Sequence, residues 1–138
     1  MQNEVTQIIR QQQEAWNRGD PAGYAADCDE QMSFTNLIGK MFFGREAFEE
    51  RHAFLFESIF KGSRLEMEIR RIHFPAPNVA LVDVACKLAG YQRLPEGAAP
   101  QNDGFLHTCL LEVLVYTETG WRVAAYHNVD VKKGVTYA

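Results

Sequence analysis

The N-terminal part of the chain places apolar residues at the spacing of amphipathic helices. Within residues 3–18 one face carries a mostly apolar stripe, formed by Val5, Ile8, Ile9, Gln12 and Trp16. This spacing predicts a first helix, and Gly19 can end it in a left-handed conformation. Asp20 followed by Pro21 is typical of an N-cap and the first helical residue. We therefore expect a second, short helix over residues 21–28.

A third helix is predicted over residues 45–62, where Gly62 again suits the end of a helix. Its buried stripe is expected to consist of Phe48, His52, Leu55, Phe56 and Ile59. Between the second and third helices, residues 32–37 alternate between two faces as a strand does. Residues 41–43 are expected to form a short extended piece after a turn at Gly39.

From residue 63 onward the pattern is typical of β-strands. Strands are predicted at residues 63–74, 78–90, 105–118 and 121–131. The segment 91–104 is rich in Pro, Gly and Ala, and we expect a loop that joins the two strands of a hairpin. Helices gathered on one face of an antiparallel sheet make an α+β domain. The prediction is three N-terminal helices packed on a strongly curved, mainly antiparallel sheet that forms a cone with an internal pocket.

The strand predicted at residues 105–118 is apolar on both faces. The two faces carry Phe105, His107, Cys109, Leu111, Val113 and Val115 on one side, and Leu106, Thr108, Leu110, Leu114 and Tyr116 on the other. An antiparallel sheet that helices cover on one side should have a more polar second face. A second copy of the chain is the simplest cover, so we expect a homodimer through the sheet. A strand wrapped by the termini of its own chain is the alternative.

Composition narrows the class of protein. The 138 residues, 46% hydrophobic and 23% charged, fit a single globular domain over residues 1–138. The net charge is −4, and no cluster of Lys and Arg interleaves with aromatic residues, so nucleic acid is not an expected partner. No apolar run is long enough to span a membrane. Three widely spaced cysteines without a signal peptide predict a cytoplasmic protein.

Four polar residues fall on faces that the periodicity turns inward, namely Gln12, Asn36, His52 and His107. Burying such a group without a partner costs roughly 2–7 kcal/mol, so each needs a hydrogen bond, a water molecule or a ligand. A solid core could satisfy each of these residues separately. Because the four lie on faces that should converge, a polar-lined cavity between helices and sheet is about as well supported as a solid core. The aromatic side chains that we expect to contact a ligand there are Trp16, Tyr24, Phe34 and Phe56.

His52 is the strongest candidate for chemistry. An imidazole with an ordinary pKa of about 6.5 suits a general acid or base, and burial would lower that pKa and keep the ring neutral. Asn36 could donate a hydrogen bond to a carbonyl or enolate oxygen. The structural alternatives are a His52 bonded to Asn36 or to a backbone carbonyl, and an Asn36 that caps the backbone near Gly39.

The last predicted strand places His127 and Asn128 on opposite faces, so one of the two should face the pocket. Strict alternation gives His127 the same face as Trp121, Val123 and Ala125. Both faces are apolar, and the pattern does not decide between them. His107 and Cys109 share a face, but two potential ligands without a third do not predict a metal site. No cofactor-binding motif is present, and no cofactor is expected.

Three segments resemble the SnoaL-like branch of the nuclear transport factor 2-like superfamily. They are AWNRGDPAGYAADCDEQMSF (15–34), NLIGKMFFGREAFEERHAFLF (36–56) and GWRVAAYHN (120–128). Within this branch the chain is most similar to small bacterial proteins labelled SgcJ/EcaC oxidoreductases. The resemblance covers essentially the whole chain and implies a curved sheet around a conical cavity, often in a dimer built through the sheet. It implies no single function, because the superfamily includes isomerases, dehydratases, cyclases and non-catalytic binders.

The resemblance also limits the mechanism. Aligned on residues 17–23, ketosteroid isomerases have their catalytic aspartate where this chain has Asn36, and their oxyanion tyrosine where it has Gln12. Steroid isomerisation by that mechanism is therefore not expected. SnoaL cyclases use an aspartate acid/base on the sheet, and Asp83 is the mid-strand acid that could be proposed for this role. The pocket positions that recur in the closest group correspond to Asn36, His52, His127 and Asn128.

These observations predict a cytoplasmic, homodimeric protein that binds a small, largely apolar molecule in its cone. As an enzyme it would use cofactor-free acid/base chemistry, such as isomerisation, dehydration or cyclisation. His52 would move the proton, and Asn36 with Gln12 would stabilise the developing oxyanion. One alternative is a non-catalytic carrier or resistance-type binder of a hydrophobic metabolite. The other is a protein-association module whose cone is filled by Trp16, Phe56 and Phe60.

Overall fold

The computed structural model describes residues 1–135. Its helices are α1 Gln2–Asn17, α2 Pro21–Tyr24 and α3 Arg45–Glu57. Its strands are β1 Cys28–Thr35, β2 Met41–Phe43, β3 Arg64–Ala76, β4 Val79–Ala89, β5 Leu106–Thr117 and β6 Gly120–Asp130. The four predicted strands after residue 63 are all present, as is the loop between the fourth and fifth strands.

The strands form one sheet in the order β2–β1–β6–β5–β4–β3. Strands β3 to β6 follow one another as an antiparallel meander, and β1 joins it by parallel pairing with β6. The sheet is strongly curled. Helix α1 packs against β3 and α2, while α3 packs against β1 and β2. The predicted α+β architecture, with helices on a curved and mainly antiparallel sheet, is confirmed.

Side chains of α1 bind the outer edge of β3. Asn17 Nδ2 donates to the backbone oxygen of Leu65 at 3.0 Å, and Asn17 Oδ1 accepts from the backbone nitrogen of Leu65 at 2.7 Å. One turn earlier, Gln13 Oε1 accepts from the backbone nitrogen of Met67 at 2.7 Å. An open edge strand can pair with another chain. Helix α1 therefore covers the first residues of this edge and is fixed on the sheet by these bonds.

The second helix is shorter than predicted. It ends at Tyr24 instead of residue 28, although Asp20 caps it as expected, with Oδ1 accepting from the Gly23 nitrogen at 2.9 Å. The residues that follow enter the sheet, because the Asp27 oxygen accepts from the Val123 nitrogen of β6 at 2.8 Å. This pairing joins distant parts of the chain, so local sequence preference does not reveal it.

The third helix also ends early, at Glu57 rather than Gly62. Turns replace its last predicted residues, with the Phe60 nitrogen donating to the Leu55 oxygen at 2.9 Å. These turns bring Phe60 into the core, where it is 4% exposed and packs against Trp16.

Strand β5 has apolar residues on both faces, as predicted. Its inward residues are Leu106, Thr108, Leu110, Glu112 and Leu114. On the outer face, Cys109 and Leu111 are exposed in the single chain. At the start of the strand this face is covered, because His107 is buried and its Nε2 lies 2.7 Å from Asp103 Oδ2 in the preceding loop. The chain thus covers one end of this face itself, whereas Cys109 and Leu111 are exposed in the single chain.

Replacing Asn17 with Ala should lower the free energy of unfolding by about 1–3 kcal/mol, because it removes both partners of the Leu65 backbone. Asn17→Asp keeps an acceptor for the Leu65 nitrogen but turns a carboxylate oxygen towards the Leu65 oxygen at the C-terminal end of α1, so it should also lower that free energy. Urea denaturation followed by circular dichroism measures both effects. Asn3→Ala, at an exposed position of the same helix, is the matched control. Equal stabilities of the two alanine variants would contradict the role assigned to Asn17.

Candidate functional site

A cavity lies between the helices and the concave face of the sheet. It offers about 60 Å³ to the centres of water-sized molecules, enough for roughly four waters at about 15 Å³ each. Its apolar wall consists of Trp16, Phe34, Leu37, Leu55, Phe60, Leu65, Cys86, Leu88 and Leu106, and its polar residues are Asn36, His52, Thr108, Tyr126 and Asn128. These lining residues include no Asp, Glu, Lys or Arg. The cavity is small and mostly apolar.

The cavity opens beside the turn between β1 and β2. Three of its lining residues are partly exposed, namely Asn36, Leu37 and Asn128, whereas the others are buried. The neighbouring Ile38 is 51% exposed and does not line the cavity. A ligand would therefore enter between the β1–β2 turn and the end of β6.

His52 lies in the inner wall and is 3% exposed. Its Nδ1 is 2.8 Å from the backbone oxygen of Phe48, one turn earlier in α3. Burial lowers the pKa of His52 to about 4, an effect that outweighs the hydrogen bond to Phe48. The imidazole is therefore neutral at pH 7. The structure combines two of the sequence expectations, since the ring is bonded to a backbone carbonyl and also lines a cavity.

Asn36 lines the mouth of the cavity and also stabilises the turn between β1 and β2. Its Oδ1 accepts from the backbone nitrogens of Ile38 at 3.2 Å and Lys40 at 3.0 Å. These bonds stabilise the turn that contains Gly39, which was the structural alternative for this residue. Since two N–H groups occupy the oxygen, the Nδ2 group is the end that can donate to a ligand.

A β-bulge at Ala124 decides which residue of β6 faces the cavity. Val113 pairs with Ala125 and Leu114 pairs with Val123, so Ala124 is left without a partner on β5. An extra residue shifts the alternation of side chains that follow it. Asn128 consequently lines the cavity, and its Oδ1 has no hydrogen-bond partner within residues 1–135.

His127 lies on the outer face and is exposed. The expectation that it contacts a pocket ligand is therefore corrected. The bulge also breaks the predicted sharing of one face by Trp121, Val123 and His127, because the first two point inward and are buried. In their place Tyr126, which sequence reasoning had not singled out, lines the cavity.

The four aromatic residues predicted to contact a ligand divide into two that line the cavity and two that lie behind its wall. Trp16 and Phe34 line the cavity, whereas Tyr24 and Phe56 lie behind its wall. The hydroxyl oxygens of Tyr24 and Tyr126 are 2.6 Å apart, and burial raises the pKa of both tyrosines well above the ordinary value. The ring of Phe56 packs edge-on against Trp16, with centroids 4.9 Å apart. Tyr24 and Phe56 thus shape the wall rather than touch the cavity.

Gln12 is buried as predicted, but its partner is a residue that the sequence interpretation missed. Gln12 Nε2 donates to Glu112 Oε1 at 2.9 Å, and Glu112 is fully buried in the middle of β5. Neither residue lines the cavity, so the expected oxyanion role of Gln12 is corrected. Asp83, the acid expected on the sheet, is exposed. The shared face of Leu110, Glu112 and Leu114 is the sequence signal that could have identified the buried acid.

The environment of Glu112 favours its neutral form. Burial raises the pKa of this carboxyl to about 7, although the hydrogen bond from Gln12 works in the opposite direction. Glu112 Oε2 and Gln12 Oε1 both have no hydrogen-bond partner within residues 1–135. A protonated Oε2 is a donor, and the amide oxygen of the side chain already bonded to it is an acceptor. The neutral acid therefore supplies a donor that the ionised carboxylate lacks.

His107 does not reach the cavity. It lies on the outward face of β5, 7% exposed, with Nε2 2.7 Å from Asp103 Oδ2 in the loop before the strand. The expectation of a ligand contact is corrected, because the inward face of β5 carries the even-numbered residues. Its neighbour on that outward face, Cys109, is exposed.

Residues 1–135 contain no group of three or more His, Cys, Asp and Glu side chains placed to hold a metal ion. No helix in the same range is long and apolar enough to cross a membrane.

No family model and no curated protein matches the chain. Solved structures do match it. A domain of unknown function with a cystatin-like fold from Nostoc punctiforme is 25% identical, with a TM-score of 0.80 over 95% of this chain and 77% of its own. An NTF-2-like protein of unknown function from Shewanella oneidensis is 20% identical, with a TM-score of 0.75 over 94% of this chain and 98% of its own.

A ketosteroid isomerase-like protein from Erwinia carotovora is 17% identical, with a TM-score of 0.70 over 93% of this chain and 94% of its own. Below 25% identity such a likeness concerns the fold alone. The chain has the cystatin-like, nuclear transport factor 2-like cone fold.

Glu112→Gln should change the pH dependence of stability. The ordinary pKa of a glutamate carboxyl is 4.5, and burial raises the pKa of Glu112 to about 7 in the fold, so its stabilisation is complete below pH 4.5 and is lost as the pH rises to 7. Glu112→Gln has no carboxyl that can ionise at this position, so its free energy of unfolding does not fall over this pH range for this reason. Relative to the wild type it should gain about 3 kcal/mol between pH 4 and pH 8.

Urea denaturation at several pH values measures this gain. Glu118→Gln, the same change at an exposed position, should follow the wild type at every pH. A constant difference between Glu112→Gln and the wild type across this range would show that Glu112 is ionised in the folded protein.

Proposed function

We propose that the cone cavity binds a small, largely apolar molecule. The observation that carries this proposal is a neutral imidazole, that of His52, set in a mostly apolar wall without charged side chains. A solid core would have no reason to leave open space beside such a group. A cone filled by Trp16, Phe56 and Phe60 would instead have favoured association as the sole role.

The acid/base version of this function uses the free ring nitrogen of His52. Nδ1 is held by Phe48, so Nε2 can accept a proton from a bound molecule and return it at another atom. The amide groups of Asn36 and Asn128 lie at the mouth of the same cavity, where they can donate to a developing oxyanion. This set replaces the pair of Asn36 and Gln12 that the sequence suggested. It supports isomerisation, dehydration or cyclisation without a cofactor.

A non-catalytic carrier is the second candidate, and the same histidine favours it. A pKa of about 4 makes His52 a weak base near neutral pH, where an effective general base has a pKa close to the working pH. Asn36 Oδ1 is also committed to the β1–β2 turn. A resistance-type binder or carrier of a hydrophobic metabolite needs the cavity without any proton transfer.

We propose further that two chains associate through the outer face of the sheet. This face carries exposed Leu111 and Val129, next to Arg70 and Asp83 of opposite charge. A two-fold symmetric pair brings such a face against its own copy, so apolar atoms meet apolar atoms and unlike charges can meet. Light scattering that gives a mass of 15.7 kDa, that of one chain, would contradict this proposal.

Membership of the SnoaL-like branch, in the SgcJ/EcaC group, and a cytoplasmic location remain proposals. The segments around Asn17, Gly44 and His127 support the first, and three free cysteines support the second. A relative of established function with clearly higher identity would decide the branch.

Leu37→Trp should block the mouth and abolish binding of small uncharged molecules. In the wild type, a ligand at about a hundred times its Kd should stabilise the fold by about 2.7 kcal/mol. A thermal-shift screen of single-ring uncharged compounds measures this. Ile38→Trp makes the same change at the adjacent exposed residue outside the cavity and should leave binding intact. If no compound stabilises the wild type, or if Leu37→Trp and Ile38→Trp lose binding equally, the cavity is not the binding site.

His52→Phe separates the enzyme from the carrier. An active base at Nε2 should speed deuterium incorporation beside the carbonyl of a bound ketone such as cyclopentanone, and NMR in D₂O measures this rate. The variant should lose about 10²- to 10⁴-fold of the enhancement, whereas His127→Phe on the outer face should lose none. Wild-type protein that binds the ketone without speeding exchange would support the carrier.

A further inference from the structure

The tautomer of His52 fixes the hydrogen-bonding character of the inner wall. Nδ1 lies 2.8 Å from the oxygen of Phe48, and a carbonyl oxygen can only accept, so Nδ1 carries the ring hydrogen. In a neutral imidazole the other nitrogen then has a lone pair and no hydrogen. Nε2 of His52 is consequently an acceptor, and a polar ligand atom that bonds to it must be a donor.

The same wall provides no charged partner for an anionic ligand. The lining residues include no Lys or Arg. Arg51, which directly precedes His52 in α3, lies over the rings of Phe42 and Phe54 instead. Transferring a carboxylate from water into such a site costs several kcal/mol without a counter-ion. Protonating His52 to supply one is opposed by its burial, which holds its pKa at about 4. Carboxylates and phosphates are therefore poor ligands.

Aromatic rings surround the acceptor. The centroids of Trp16, Phe34 and Tyr126 lie 5.9, 5.4 and 6.4 Å from that of His52, and all three residues line the cavity. Aromatic rings at such distances pack favourably edge to face, so this wall suits a ligand that carries a further aromatic ring. The enclosed 60 Å³ is less than the roughly 150 Å³ cavity known to hold benzene, so a ring bound here would extend into the mouth beside Leu37.

We propose that the ligand is an uncharged aromatic hydroxyl compound of the phenol type, whose O–H donates to Nε2 of His52. This inference rests on the proposed function, because it presumes a small molecule in the cavity. It adds the class of that molecule. The ring lies against the aromatic wall, the hydroxyl points inward, and substituents extend through the mouth.

The test compares phenol with toluene, which has the same shape and no donor, and with benzoate, which is charged. Kd values come from ¹H–¹⁵N NMR titrations of the wild type, His52→Phe and His127→Phe at pH 7. In His52→Phe the ratio of the toluene Kd to the phenol Kd should be about tenfold lower than in the wild type. The variant lacks the acceptor for the phenol hydroxyl, and a buried hydrogen bond contributes about this factor to binding. His127→Phe should keep the wild-type ratio, and benzoate should not bind.

A second measurement needs no variant. On adding phenol, the ¹⁵N resonance of Nε2 in His52 should move to lower shift as it accepts a hydrogen bond, and toluene should leave it in place. An unchanged toluene-to-phenol ratio in His52→Phe, an unmoved Nε2 resonance, or benzoate binding as tightly as phenol would overturn the phenol class while leaving the cavity as a binding site. Failure of both phenol and toluene to bind the wild type would overturn the proposed function itself.

Discussion

The interior of this protein depends on keeping its buried polar groups uncharged. Burial pushes Glu112 towards the acid form and His52 towards the neutral base, with pKa values of about 7 and about 4. Their effects on stability have opposite signs. Between the altered and ordinary pKa values, rising pH removes stability through Glu112 and restores it through His52. Because these ranges overlap, the two slopes largely offset each other, and the free energy of unfolding of the wild-type protein should vary less between pH 4.5 and pH 6.5 than either group alone would make it vary.

The same neutrality links the fold to its cavity. The wall of the cavity carries no ionic group, since His52 in the wall is neutral and bonded to Phe48, and Glu112 behind the wall is bonded to Gln12. The side chains of Gln13 and Asn17 hold α1 on the edge of β3, which keeps Trp16 of the same helix over the cavity. The shape of the pocket thus depends on polar contacts that lie outside it.

Periodicity alone predicted the helices, the meander, the inward position of Gln12 and His52, and the two-faced apolar character of β5. It failed where a long-range contact overrides the local pattern. Parallel pairing with β6 draws the end of the predicted second helix into β1, and the register of β5 turns His107 outward. Glu112 was missed because a glutamate is almost never fully buried without a partner, and its partner lies on the first helix, far away in the chain.

The bulge at Ala124 has a consequence for comparing this protein with its relatives. One unpaired residue determines whether an amide or an imidazole faces the cavity, because His127 and Asn128 are adjacent in β6. A relative without that residue would present the other side chain to its ligand even if its His–Asn pair were identical. To infer which residue of a relative faces its cavity, one must therefore count positions from the bulge. An alignment that matches identical residues but ignores the bulge can assign an outer-face residue to the cavity.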